Sequence, residues 1–143
     1  MKGSSSIPVR PRPSQGKGEL ILVVDDEPQI RDITAAILSR HGYRVLIAAD
    51  GTEAVAIFAS RSNEISVLVT DLRMPNLDGA ALASVVQHLN PTVKILAMSG
   101  LSSGADYQMK RFAGALLFKP FKAEALLQAV HGLLNPESAT PFA

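Results

Sequence analysis

Five times between Leu20 and Leu134 the chain alternates a short, densely apolar run with a longer segment whose apolar residues recur at three- and four-residue intervals. The first run, Leu20 to Val24, is unbroken, as expected for a strand covered on both faces. It ends in Asp25-Asp26-Glu27-Pro28, acidic residues and an early proline that suit a helix start. Ile30, Ile33 and Ile37 then predict one buried stripe until Gly42 stops the helix. Arg44 to Ala48 reads as a second strand, polar at its start as an edge allows, and Asp50-Gly51-Thr52 opens a second helix to about Arg61. Ser66 to Thr70 is a third strand, running into Asp71 and a turn segment with Pro75 and Asp78-Gly79. Leu82, Val85, Val86 and Leu89 mark one face of a helix over 78–90, which Pro91 ends.

The later units are less regular. Val93 to Met98 predicts a fourth strand, closing at Ser99-Gly100. The segment 101–112 has a poor stripe with Gly104 inside it, and a helix is expected there. Ala115 to Phe118 predicts the fifth strand, ending at Lys119-Pro120. A last helix over 123–134 aligns Leu126, Leu127, Val130, Leu133 and Leu134. Buried strands alternating with amphipathic helices imply an α/β sandwich, because right-handed crossovers lay helices over both faces of a parallel sheet. Five such units are most simply a flavodoxin-like doubly wound fold, (βα)5, with strand order 2-1-3-4-5.

Length fits one such domain, so residues 20–134 are taken as the folded unit and 135–143 as a tail. Residues 1–19 are rich in Ser, Pro and Gly and read as a flexible linker or tag. That segment carries Lys2, Arg10, Arg12 and Lys17 against Glu19, which leaves the remainder slightly acidic and argues against a nucleic-acid surface. Cysteine is absent, which excludes disulfides, thiolate zinc sites and thiol catalysis. No apolar run reaches the length of a membrane span and no signal-peptide core is present, so a cytoplasmic protein without a membrane partner is expected.

Strand order decides which polar residues meet. Strands 1 and 3 are neighbours at the switch point, so Asp25, Asp26 and Asp71 should converge at the carboxyl edge. Two carboxylates about 4 Å apart repel by about 4 kcal/mol at an effective dielectric of about 20, so a cation must offset them. Oxygen-only ligation favours Mg2+. Lys119 supplies a positive charge suited to a phosphate, and Ser99 a hydroxyl able to donate to one. Singly, each has a plain alternative: Asp25 to Glu27 as helix caps, Asp71 and Ser99 as turn residues, Lys119 as a solvated charge. Together, at the ends of four strands, they suit phosphoryl acceptance on a carboxylate.

With VVDDE at 23–27, TDLRMPNLDG at 70–79, MSG at 98–100 and FKPF at 118–121, the chain resembles the receiver domain of two-component response regulators. The resemblance implies that Asp71 accepts a phosphoryl group from a histidine kinase or histidine phosphotransfer protein. It implies Mg2+ bound directly by Asp26, Asp71 and the backbone carbonyl of Arg73, with Asp25 acting mainly through a metal-bound water. Lys119 would neutralise the phosphoryl group, Ser99 would turn to bond it, and Lys119-Pro120 would be cis. Arg73 and Leu101 fall where the family tunes phosphate lifetime. The domain would catalyse its own phosphorylation and dephosphorylation, and the surface around the 101–112 helix, the fifth strand and the last helix would address a downstream protein, a phosphorylation-dependent homodimer included. The leading segment would suit a receiver behind a sensor kinase.

Two departures stand out. Leu116 occupies the place of the usual aromatic three residues before the lysine, with Phe118 two residues on, and the stretch 99–119 is slightly short. An unphosphorylated interaction module of the same fold is therefore the main alternative. An aspartyl-phosphate phosphatase would need a second acid where Arg73 stands.

Overall fold

The computed structural model describes residues 15–100 and 115–136. Its five strands form one parallel sheet in the order β2-β1-β3-β4-β5. They are β1 (Leu20–Val24), β2 (Arg44–Ala48), β3 (Ile65–Asp71), β4 (Lys94–Ser99) and β5 (Ala115–Phe118). The described helices are α1 (Pro28–Arg40), α2 (Gly51–Ser60), α3 (Gly79–Leu89) and α4 (Ala123–Leu134). The doubly wound α/β fold and its strand order are those the alternation predicts. The helix expected over 101–112, with Leu101, lies outside the described residues, as do positions 1–14 and 137–143.

Side chains alternate across a strand, so each strand feeds two cores. Leu20, Leu22 and Val24 point to the side holding Ala54 and Phe58 of α2 and Leu82, Ala83 and Val86 of α3. Ile21 and Val23 point to the other, with Leu38 of α1 and Leu126, Leu127 and Val130 of α4. β1 is consequently buried at all five positions, whereas β2, on the sheet edge, is exposed at Arg44 and Ile47. That is why the first run reads as continuously apolar and the second does not.

The stripe expected on α1 is rotated. Thr34 and Leu38 are its buried residues, while Ile33 is 55 % exposed. Neighbouring residues lie about 100° apart around a helix, so a face centred on Thr34 and Leu38 carries Ile33 to its rim. Threonine is apolar enough on its methyl side to be buried, and a purely apolar count misses it. On α3 the same effect is milder: Leu82, Ala83 and Val86 are buried and Leu89 is 46 % exposed.

The starts of α2 and α3 follow their caps. Asp50 accepts from the Glu53 amide at 2.8 Å and Asp78 from the Ala81 amide at 2.8 Å. Before β1, the Gly16 and Gly18 amides donate to the carbonyls of His41 and Gly42, and Gly42 has a φ of 92° that a side chain would disfavour.

Candidate functional site

Register brings the acidic residues together. Val24 pairs with Thr70, which pairs with Ala97, so Asp25 and Asp71 emerge side by side one step beyond, and Ser99 lies on the next strand opposite Phe118. Asp71 is the last residue of β3 and Ser99 the last of β4, each one residue beyond the predicted strand end. Two backbone bonds close this edge: the Leu72 amide donates to the Met98 carbonyl at 3.0 Å, and the Lys119 amide to the Ser99 carbonyl at 2.8 Å.

Carboxylate oxygens of Asp25, Asp26 and Asp71 lie within 4.8 Å of one another, with Asp25 and Asp71 buried and Asp26 exposed. Lys119 Nζ reaches into the group, 2.9 Å from Asp25 Oδ2, 3.4 Å from Asp71 Oδ1 and 3.3 Å from Glu27 Oε1. Asp25 Oδ1 also accepts from the Glu27 amide at 2.9 Å, and its carbonyl accepts from Arg31 Nη1 at 3.0 Å. Burial drives the Asp71 carboxyl above its ordinary range; Lys119 opposes this, and Asp25 and Asp26 add to it. Burial works to lower the Lys119 ammonium, but the hydrogen bond to Asp25 and the charges of Asp71 and Asp25 outweigh it, and its pKa is raised. The lysine is thus held as a cation among carboxylates that repel one another, a donor set of hard oxygens with the spacing for one small divalent ion.

Gly79 makes the approach possible. A Cβ there would overlap the carbonyl oxygen of Asp71 and come within 2.9 Å of Leu72 Cα, while the Gly79 amide donates to the Leu72 carbonyl at 3.1 Å. The first turn of α3 can therefore lie directly against the end of β3.

The family described as the response regulator receiver domain matches residues 21–131. The chain belongs to that family. Among curated relatives, this receiver domain is 32 % identical over 138 residues to the alkaline phosphatase synthesis transcriptional regulatory protein SphR of Synechococcus elongatus, a match covering 90 % of this chain and 54 % of SphR. The chain thus spans about half the length of that relative. A solved receiver domain from Clostridium thermocellum aligns with a TM-score of 0.76 at 32 % identity, over 82 % of this chain and 95 % of that one. TrrA of Thermotoga maritima, a response regulator solved in complex with Mg(2+)-BeF, aligns with a TM-score of 0.74 at 29 % identity, over 80 % and 98 %.

Within this receiver domain, Asp25, Asp26, Asp71, Ser99 and Lys119 gather at one edge, Lys119-Pro120 is cis, and Arg73 is exposed on the segment after Asp71. Leu116, opposite Ala97, packs on the α2–α3 core, and Phe118, on the same face, is 49 % exposed. Glu27 is the contact that reading it as a helix cap misses: it stands at the N-cap of α1 without a side-chain capping bond and turns to Lys119 instead. Its place directly behind Asp25-Asp26 is the only sequence signal for that role.

Proposed function

We propose that this receiver domain is a phosphorylation-dependent switch of a two-component phosphorelay, with Asp71 the acceptor. The supporting observation is the cluster of three carboxylates with Lys119 Nζ 3.4 Å from Asp71 Oδ1. An Asp71 carboxylate oxygen attacks the phosphorus of a phosphohistidine on a histidine kinase or phosphotransfer protein. A P–O bond forms, the P–N bond breaks, and the imidazole leaves with the electron pair.

The carboxylates of Asp25, Asp26 and Asp71 fit Mg2+; Asp26, Asp71 and the Arg73 carbonyl would hold it directly and Asp25 through water. Bound there, the ion would supply positive charge for the transferring phosphoryl oxygens. Lys119 neutralises the same group from the other side, and Ser99 donates its hydroxyl to it. The acquired charge then biases the surface beside β5 and α4 toward a downstream protein or a second copy. The slightly acidic folded part supports a protein rather than a nucleic-acid partner for these residues. Among the described residues no helix is long and apolar enough to cross a membrane.

The test is an intact-mass measurement after incubation with Mg2+ and a small acyl phosphate. One phosphate on the wild type, none on Asp71→Asn and none with a chelator is the expected result. An adduct that survives Asp71→Asn would overturn the assignment of the acceptor. No adduct with any donor would point to an unphosphorylated interaction module, and turnover of unrelated phosphate esters to a phosphatase.

A further inference from the structure

Gly51, the first residue of α2, is buried, and a Cβ there would overlap the carbonyl oxygen of Leu77 and stand 2.8 Å from Leu77 Cβ. Its φ lies outside the left-handed region, so the position needs the missing side chain rather than glycine's backbone freedom. Leu77 belongs to the segment 72–78 that leaves Asp71 and carries Arg73. There the Leu77 amide donates to the Pro75 carbonyl at 2.8 Å across Asn76, whose φ is 71°, a tight three-residue turn of the rarer, strained kind. Such a turn persists where its surroundings hold it. Gly79 closes the segment against the Asp71 carbonyl, and just before it the head of α2 lies against Leu77. That head is itself secured, since Asp50 accepts from the Glu53 amide and the Glu53 carboxylate accepts from the Ala49 amide at 2.6 Å.

We propose that Gly51 is a positioning residue for the cation site: through its contact with Leu77, α2 braces the 72–78 segment and presets the Arg73 carbonyl beside Asp26 and Asp71. The inference rests on the Mg2+ reading of those carboxylates. It assigns to α2, which contributes no ligand, part of the affinity for the ion.

Titration calorimetry with MgCl2 on the wild type, Gly51→Ala, Asp50→Ala and Asp50→Asn tests it, with amide NMR signals of residues 72–78 followed in parallel. Supporting partners of metal ligands typically change affinity tenfold or more, so Gly51→Ala should bind Mg2+ about tenfold more weakly and shift the Asn76 and Leu77 signals. A folded Gly51→Ala with wild-type affinity would overturn the proposal. Should that variant fail to fold, the caps decide: Asp50→Ala, which frays the head of α2, should bind more weakly than Asp50→Asn, which keeps a cap. Equal affinities of those two would overturn it as well. A wild type that binds no Mg2+ would instead remove the reading of the carboxylates, and this inference with it.

Discussion

Lys119 is the residue on which the charge of the site balances. Among the described residues it is the cation paired with the carboxylate of Asp25, whose side chain is fully buried, and it also faces Asp71 and Glu27. Removing one partner of a buried pair leaves the other charge uncompensated, so Lys119→Met should lower stability by about 3 kcal/mol in metal-free buffer, read by urea unfolding. Added Mg2+ should restore part of that loss. Asp71 carries the opposite sign. Its carboxyl, raised chiefly by burial, favours folding while protonated, and that contribution is lost as pH rises through the carboxylate range. In chelator, Asp71→Asn should therefore melt above the wild type at pH 7, and the gap should close on acidification below that range. A gap that widens toward acid would show that the Lys119 pair, not burial, dominates at Asp71.

Among the elements, the strands are legible in the sequence because burial on both faces leaves a continuous apolar run, as in β1. On α1 the apolar stripe lies one position from the buried face because Thr34, whose hydroxyl marks it as polar in the sequence, occupies the middle of that face. Its hydroxyl has no hydrogen-bond partner among the described residues. Thr34→Val keeps the shape and removes an unsatisfied buried hydroxyl, so it should stabilise the domain by about 1 kcal/mol in denaturant melts. A loss of similar size would mean that the hydroxyl is satisfied in solution. Ends of elements were legible where a cap names them, Asp50 and Asp78 being examples, and less so at β3 and β4, where Asp71 and Ser99 belong to the strands themselves.

Over the whole molecule, parallel order alone placed Asp25, Asp26, Asp71, Ser99 and Lys119 at one edge, since strand neighbours and register turn distant sequence positions into adjacent ones. What pattern could not supply were contacts made by exposed or absent side chains. Glu27 reaches Lys119 by a flexible arm, and Gly51 and Gly79 matter for the atoms they lack. The bond from the Lys119 amide to the Ser99 carbonyl has a further consequence. Hydroxyl and ammonium are borne by chains stitched together at the rim, so neither can respond to a newly attached group without tugging the other. Their contributions to holding a phosphoryl mimic such as beryllofluoride should accordingly be non-additive: a cycle of Ser99→Ala, Lys119→Arg and the double variant should show a coupling above about 0.5 kcal/mol. Strict additivity would mean that the stitch yields, and that two independent fingers, rather than one hand, close on the visitor.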